Sequence, residues 1–318
     1  MKILFSLLFF YWSFQLWAQT EIQLTPKLAY DTNYIESHTE LLSLRLVGIQ
    51  KSHEIKIKDK HNGNSLLYRP NTNFSTGIGF NYKWLGLNIA FPLGILNNDE
   101  ELYGETDQFD LQLNAYGRKM GIDAFVQRYK GYYIHNIADI HPNWIDAEPF
   151  PQRDDLVSVA MGLEYYYSFN HQKFSFRSSF IQNEKQKKSA GSWLIGAYVN
   201  SFMIRVPSGL LPKPIIDLYD KRVNLTLVNV SNLGISGGYI YTLVFAKHFF
   251  TTLSADIGFG GQLARIQNKK GDNLKVQAFS GRIKFRMATG YNTDKWNAGI
   301  TIFSMAQNFV VSEHSELS

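Results

Sequence analysis

The sequence predicts an all-β fold, a transmembrane antiparallel β-barrel of about 12–14 strands preceded by a cleaved signal peptide. Three observations lead to this prediction: an apolar N-terminal leader, a two-residue alternation of apolar and polar side chains in many segments, and a regular succession of short and long links between those segments. A strand that crosses a membrane needs about 9–11 residues, and most of the alternating segments reach that length.

The N-terminal leader has the order of a secretory signal. Lys2 is followed by a largely apolar run from Ile3 to Trp17 and then by the small residue Ala18. An uncleaved helical anchor is the alternative, but the run is shorter than the ~20 apolar residues of a spanning helix. We therefore expect residues 1–18 to be the signal peptide, residues 19–40 a periplasmic N-terminal segment and residues 41–318 the barrel domain.

The composition excludes several classes of protein. The 318 residues include no cysteine, which rules out a disulfide framework, thiolate metal sites and a lipoprotein anchor. The net charge of +5 is spread along the chain without a dense basic cluster, so nucleic acid is not an expected partner. The many aromatic residues and glycines are instead typical of membrane strands.

Alternation with period two is the main signal of secondary structure, because successive residues of a strand face opposite sides of a sheet. Residues 74–82 place Phe74, Ile78 and Phe80 on one face and small or polar residues on the other. The same reasoning predicts strands at 74–82, 85–91, 109–116, 122–129, 156–169, 173–182, 192–205, 233–245, 249–263, 276–290 and 296–307. Residues 42–47 and 54–58 are predicted to be two strands or one interrupted strand.

The links between the predicted strands alternate in length. Short links occur at 83–84, 117–121, 170–172, 246–248 and 291–295, and long polar links occur at 92–108, 130–155, 183–191 and 264–275. Short turns on one side and long loops on the other are typical of outer-membrane barrels. This pattern predicts a location in the outer membrane of a Gram-negative bacterium, with the long loops facing outside.

Two regions disturb the count of strands. Pro207, Pro212 and Pro214 exclude a central strand from residues 207–220, and the strand directions on either side require one more crossing, at 222–230. Bacterial barrels usually close with an even number of strands, but the residues after 307 end in a polar stretch. Either a final closing strand is lost or has diverged, or the N-terminal count is wrong.

Several blocks of the sequence resemble a Bacteroidota family known only as the domain-of-unknown-function family numbered 4421. The blocks are YDTNYI at 30–35, YRPN at 68–71, GIGFNYKWLGLN at 77–88, YGRKMGIDAFVQRYKGYY at 116–133 and NEKQKKSAGSW at 183–193. The resemblance implies an outer-membrane barrel, no established reaction and no catalytic residues. It also implies a last strand with an aromatic and basic terminus, which this chain lacks.

Charged side chains occupy one face of the predicted strand 276–290. Arg282, Lys284 and Arg286 alternate with Ile283 and Phe285, and a cation facing lipid at the bilayer midplane costs about 2–4 kcal/mol. We therefore expect the three cations to face the lumen. Their expected counter-charges, on the polar faces of other strands, are Glu164, Asp110, Asp123 and Asp256. A filled, salt-bridged interior is one interpretation, and a basic constriction that favours anions is the other.

No set of residues predicts a catalytic, cofactor or metal site. The densest set of candidate metal ligands lies in the loop 130–155 and comprises His135, Asp139, His141, Asp146, Glu148 and Asp154. No tight spacing places two of its imidazoles on one face, so a solvated loop is the favoured interpretation. A nucleophile needs a base within hydrogen-bond reach, and the only histidines in the middle of the chain are His135, His141 and His171. We therefore predict neither an enzyme nor a cofactor.

The expected function is a structural or adhesion role, or a narrow passive pore, in the outer membrane. The alternatives are a lipid-modifying barrel enzyme and a secreted β-sandwich that acts as a binding module. A sandwich would carry polar residues on the outer face of each strand, which residues 85–91 and 156–169 do not. Expected partners are outer-membrane lipid, lipopolysaccharide and the barrel-assembly machinery, and no oligomeric state is predicted.

Overall fold

The described part of the chain is almost entirely β-structure, which confirms the predicted all-β class. The structure is a computed structural model that describes residues 29–50, 53–59, 63–72, 74–92, 99–140, 149–219, 224–269, 271, 273–293, 297–312 and 315–317. None of the helices within these ranges is long and apolar enough to cross a membrane. The predicted signal peptide, residues 1–18, lies outside the described residues.

Seventeen strands and four short helical segments make up the regular structure of the described residues. The strands are β1 Ile35–Ser37, β2 Ser43–Ile49, β3 Ile55–Asp59, β4 Ser65–Arg69, β5 Ser75–Tyr82, β6 Leu85–Pro92, β7 Asp107–Tyr116, β8 Met120–Ile134, β9 Gln152–Ser168, β10 Glu184–Gln186, β11 Ala190–Arg205, β12 Leu225–Phe245, β13 Phe249–Asn268, β14 Asn273–Asn292, β15 Asn297–Gln307, β16 Phe309–Ser312 and β17 Ser315–Leu317. The helical segments are Glu100–Tyr103, Ile137–Ile140, Arg177–Ile181 and Lys213–Leu218.

A continuous antiparallel run of strands forms what we call the main wall. Its order is β2, β5, β6, β7, β8, β9, β11, β12, β13, β14 and β15, and each strand pairs with the next. Strand β4 pairs with the far end of β8, and β3, β17 and β16 continue from β4. A separate two-stranded sheet joins β1 to β10.

The main wall is strongly curled, but it is not closed as a ring among the described residues. Its edges are β2 and β15, and they run in the same direction because neighbouring strands alternate. Asn200 on β11 nevertheless donates a hydrogen bond to Gln307 on β15 at 2.7 Å. In a flat sheet the three intervening strands would hold β11 and β15 ~19 Å apart. The structure therefore differs from the predicted closed barrel, and it shows an open sheet that curls back on itself.

Most predicted strands of the main wall are confirmed, with ends that shift by a few residues. The long strands β9, β11, β13 and β14 extend the predicted segments at one or both ends. The tight turns β5–β6 and β12–β13 contain residues with positive φ, namely Lys83, Ala246 and Lys247, a backbone conformation that hairpin turns require. We call the end of the wall with these turns the turn end, and the opposite end the loop end.

Two strand predictions are wrong. Residues 173–182 were expected to cross as a strand, but they form a turn and the π-helical segment Arg177–Ile181. The Ser178 hydroxyl donates to the Ser175 carbonyl at 2.8 Å, and such local bonds compete with a strand ladder. Residues 222–230 were expected to be a separate crossing, but from Leu225 onward they belong to the single strand β12.

The interior of the curled wall has an apolar cluster at each end. The loop-end cluster includes Ile55, Tyr68, Ile204, Leu210 and Val228. The turn-end cluster includes Tyr116, Tyr166, Phe174, Phe176 and Ile181. The interior between the two clusters is lined by polar and charged side chains, which include Glu164, Arg282, Lys284 and Arg286.

Candidate functional site

The three cations on β14 are buried on the inner face of the main wall. Arg282, Lys284 and Arg286 are 4%, 1% and 4% exposed, whereas Ile283 between them is 62% exposed. Alternation along the strand produces this difference because neighbouring residues point to opposite faces. Together with Glu164, Asp256 and Asp123 they form what we call the ionic cluster.

Glu164 on β9 is the central acceptor of the ionic cluster. Its Oε1 atom accepts hydrogen bonds from Arg282 Nη2 at 2.7 Å and from Lys284 Nζ at 2.6 Å. Asp256 lies directly opposite Lys284 in the β13–β14 pairing, and its Oδ1 atom is 3.5 Å from Lys284 Nζ. One carboxylate thus links two cations across the interior, and a second carboxylate supports Lys284 from the neighbouring strand.

Asp123 on β8 is the partner of Arg286. Arg286 Nη1 lies 3.3 Å from Asp123 Oδ2 and donates to the Tyr166 hydroxyl at 3.2 Å. The hydroxyls of Tyr166 and Tyr116 both donate to Asp123, at 2.8 and 2.7 Å, and Asn114 adds a donor at 2.7 Å. These donors fix the carboxylate in place.

Aromatic rings surround the buried guanidinium groups. The Arg282 guanidinium lies 3.8 Å from the centre of the Tyr198 ring. Arg286 lies 5.0 Å from the Tyr166 ring and 5.2 Å from the Phe180 ring. These distances are within the range of cation–π attraction, which is stronger where water is excluded.

The structure brings six of the seven predicted charged residues together. Asp110 is the exception: it lies nearer the loop end, where it accepts hydrogen bonds from Gln127 at 2.7 Å and from the Tyr129 hydroxyl at 3.4 Å. The sequence reasoning missed the contributions of Tyr166 and Tyr198. Both occupy inner positions of alternating strands, but tyrosines near a strand end are also typical of a membrane girdle, so alternation alone did not identify their role.

The ionic cluster contains equal numbers of positive and negative charges, and several of its polar atoms make no hydrogen bond among the described residues. Three cations face three carboxylates, so the formal charges cancel. Arg282 Nε, Arg286 Nε and both carboxylate oxygens of Asp256 are buried without a hydrogen-bond partner among the described residues. The described site is therefore a buried polar interior in which the formal charges are balanced.

The segment between β9 and β11, residues 169–189, fills the turn end of the interior. Glu184 is fully buried and accepts hydrogen bonds from Arg118, Arg177 and the Ser175 hydroxyl. The Ile181 carbonyl accepts a hydrogen bond from Asn81 on β5 at 2.7 Å. We call residues 169–189 the inner segment. Its side chains block the turn end below the ionic cluster.

The loop end is covered by residues 207–219 and by the β3–β4 hairpin. The Tyr68 hydroxyl donates to the Leu210 carbonyl, and Arg153 donates to the carbonyls of Leu210 and Gly209 at 3.0 and 2.7 Å. These bonds tie the two covering elements to β9. The interior is therefore packed at both ends.

His53 is partly buried in an aromatic stack beside this cover. Its ring lies 5.1 Å from the Tyr129 ring with an interplanar angle of 11°, and Phe202 and Tyr132 pack around it. Burial lowers the pKa of His53 from 6.5 to about 4, against the opposing effect of the Glu54 and Asp110 charges. His53 is thus neutral at physiological pH.

The loop with the candidate metal ligands is only partly described. His135 lies 2.7 Å from Arg69 through a ring nitrogen, and Asp139 belongs to the helical segment Ile137–Ile140. His141, Asp146 and Glu148 lie outside the described residues. Within the ranges that the structure describes, no three His, Asp or Glu side chains are grouped as metal ligands.

A protein-family model identifies the family of the chain. The model of a family described as a domain of unknown function, DUF4421, matches residues 29–315. The chain belongs to the DUF4421 family. This confirms the resemblance inferred from the sequence blocks, while the bacterial lineage stays a prediction.

Other comparisons add little to the DUF4421 assignment. No curated protein matches the chain. The crystal structure of the toluene transporter TodX from P. putida is similar to this DUF4421 protein, with 11% sequence identity and a TM-score of 0.25. The similarity covers 90% of this chain and 67% of that chain. A score this low carries no argument about the function of the DUF4421 protein.

Proposed function

We propose that this protein is an integral outer-membrane protein with a filled interior, and that it has a structural or adhesion role. The observation that carries the proposal is the outer face of the main wall. On β12 the outward side chains include Leu233, Ile235, Tyr239, Tyr241 and Leu243, which are 69%, 68%, 41%, 40% and 49% exposed. A sheet in water does not leave such a continuous apolar surface uncovered.

The height of this apolar surface fits a membrane. Leu233 and Leu243 are ten positions apart on β12, which corresponds to about 34 Å along a strand. At a strand tilt of ~40° this is about 25 Å along the membrane normal, equal to the apolar band of outer-membrane barrels.

Aromatic side chains border the apolar band at the turn end. The rings beyond Leu243 come from adjacent strands and include Phe245, Phe249 and Tyr291. Phe245 and Phe249 stack at 5.6 Å, and Phe249 packs on Tyr291 at 4.8 Å. Rings at the level of the lipid headgroups are typical of membrane strands. The band and its border together support insertion in a bilayer.

Membrane fractionation and electrophoresis test the proposal. We expect the full-length protein in the outer-membrane fraction, and we expect it to migrate differently in detergent gels before and after boiling, because a folded barrel-like sheet resists the detergent. Recovery of the folded protein from the periplasm without detergent would contradict the proposal.

The packed interior favours the structural or adhesion role over an open pore. The inner segment blocks the turn end, and residues 207–219 with the β3–β4 hairpin cover the loop end. We therefore expect the purified protein to give no single-channel currents in planar bilayers. Regular conductance steps from the wild-type protein would contradict this part of the proposal.

A narrow pore is the second candidate, and the unused polar atoms of the ionic cluster are the observation that favours it. This function requires the inner segment to move aside. Replacing residues 174–181 by a glycine-serine linker of equal length would then open the interior, and additional exchange of Arg282→Glu would reduce the preference for anions. A linker variant that folds and stays silent in planar bilayers would exclude the pore.

A further inference from the structure

Four basic side chains form a patch on the outer face of the main wall at its loop end. Arg205 ends β11, Arg265 lies near the end of β13, Lys269 follows β13, and Lys275 lies near the start of β14. All four are exposed. We call this patch the basic rim.

Two cations of the basic rim face each other directly. Arg265 is the cross-strand partner of Lys275 in the β13–β14 pairing. Like charges at directly opposed positions destabilise a sheet. Neither residue makes an ion pair within the part of the chain that the structure describes. The pair is therefore an unfavourable arrangement that an anion between the two side chains would stabilise.

The strands from β11 to β14 supply no compensating charge on their outer face. Asp256 is the single acidic residue in β11, β12, β13 and β14, and it is 5% exposed on the opposite face, beside Lys284. The outer face of these four strands is thus purely basic near the loop end.

A shallow cavity of about 310 Å³ lies at the loop end of these strands, and Gln267, which lines it, is two positions beyond Arg265 on β13. Arg205 and Lys269 line it together with the polar side chains of Thr226, Gln267 and Asn268. Lys269 Nζ also donates to the Ser208 carbonyl at 3.4 Å, which holds the side chain at the cavity edge. Two cations and several polar side chains surround a space that can hold an anionic group.

The position of the basic rim relative to the apolar band identifies its ligand. Arg265 is two positions beyond Leu263, which is 60% exposed, and Lys275 is four positions before Phe279, which is 92% exposed. These separations correspond to about 7–14 Å along a strand. The cations therefore lie where the headgroups of the lipids begin, at the end of the wall with the long connections.

We infer that the basic rim binds the phosphate groups of a phosphorylated glycolipid of the outer leaflet, such as lipopolysaccharide. This inference rests on the proposed membrane insertion, which places Arg265 and Lys275 at headgroup depth. A phosphate oxygen between the two side chains neutralises the opposed cations, and Arg205 and Lys269 provide a second position for a phosphate. The acyl chains of the same lipid then lie on the apolar band below.

The test compares lipid retention by charge variants in nanodiscs. Wild-type protein is placed in phosphatidylcholine nanodiscs that contain diphosphoryl lipid A, and the lipid A retained per protein is counted by native mass spectrometry. We expect enrichment over bulk composition for the wild-type protein. The Arg265→Gln/Lys275→Gln variant should lose about fivefold in affinity for each cation removed, and the enrichment should fall as salt is added.

A matched control removes two lysines at the opposite end of the wall. Lys119 and Lys247 are exposed at the turn end, so the Lys119→Gln/Lys247→Gln variant has the same net charge without touching the basic rim. It should retain lipid A as the wild-type protein does. Equal retention by the rim variant, or equal loss in the control variant, would overturn the inference.

Two further measurements separate the sources of failure. Inorganic phosphate should displace lipid A poorly, because it lacks the acyl chains that contact the apolar band, and efficient displacement would overturn the choice of a lipid as ligand. Wild-type protein that inserts into nanodiscs but shows no preference for lipid A disproves this inference and leaves the proposed function intact. Failure to insert at all disproves the proposed function itself.

Discussion

The Arg282 guanidinium lies 2.7 Å from the Glu164 carboxylate, although three strands separate β14 from β9 in the main wall. In a flat sheet these two strands would be ~19 Å apart. The contact therefore exists only because the wall curls, and it joins two distant parts of the sheet through side chains. The stability of the curled form should depend on this contact.

Removing the central carboxylate should destabilise the protein strongly. Glu164→Gln leaves Arg282 and Lys284 buried with only Asp256 nearby. Removing one partner of a buried ion pair typically lowers the free energy of unfolding by about 3–5 kcal/mol. The free energy of unfolding can be measured with urea in detergent micelles by tryptophan fluorescence. Asp107→Asn is the matched control, because Asp107 forms an exposed ion pair with Arg128 at 2.7 Å, and such pairs contribute less than about 1 kcal/mol. Equal effects of the two substitutions would show that the cluster is not desolvated.

A charge on the outer face distinguishes a membrane protein from a soluble one. Ile283 is 62% exposed in the middle of the apolar band, so Ile283→Arg should cost about 2–4 kcal/mol if that face contacts lipid. We expect lower folding yield in lipid vesicles, measured by the gel shift between folded and boiled protein. The control Ile283→Val should fold normally. If the face contacts water instead, Ile283→Arg would be neutral or would improve solubility.

Acid should weaken the fold through His53. The pKa of His53 is about 4 in the folded protein against an ordinary value of 6.5, so between these values the unfolded chain binds more protons. The contribution of His53 to the free energy of unfolding is complete above pH 6.5 and declines as the pH falls towards 4. Carboxylates also titrate at low pH, so the measurement is the difference between the wild-type protein and His53→Phe, which keeps the ring stack without a titrating group. If the difference in the free energy of unfolding between the two proteins is the same at pH 7 and at pH 4, the prediction is contradicted.

Position 121 should tolerate no side chain, because Gly121 lies close to the Tyr166 ring. The two residues are cross-strand partners, and a Cβ atom at position 121 would overlap the Tyr166 ring. The ring cannot easily move, because its hydroxyl donates to Asp123 at 2.8 Å and accepts from Arg286 at 3.2 Å. We expect Gly121→Ala to destabilise the protein by about 1–3 kcal/mol, measured by urea unfolding. Gly281→Ala is the control, since no atom lies within 4 Å of its added Cβ; a loss as large in the control would indicate a backbone effect instead.

Alternation was sufficient to predict most strands of the main wall and to place three cations of β14 on one face. Arg282, Lys284 and Arg286 share a face with period two, and the cost of facing lipid leaves only the inner side for them. Their pairing with Glu164, Asp256 and Asp123 could not be derived, because it depends on how far the sheet curls. That curvature is a property of all the strand pairings together and has no signature in any one strand.

The inner segment shows where alternation misleads. Phe174, Phe176 and Phe180 are spaced as in a strand, but their rings pack around Tyr116 and Arg286 inside the wall. The deciding contacts are local bonds of Ser175 and Ser178 and the buried Glu184 with its arginine partners. Short strands such as β4 and β16 were also missed, because their few residues do not alternate between apolar and polar side chains.

The cations of β14 also limit the ways in which the sheet can be assembled. A slip of one residue in the pairing of β14 with β13 would turn Arg282, Lys284 and Arg286 towards the hydrocarbon, and each would cost about 2–4 kcal/mol there. A slip of two residues would keep them inside and would set Arg282 or Arg286 opposite Asp256 in place of Lys284. The charged row thus selects against one-residue slips during insertion, because the lipid rejects a strand whose cations face it.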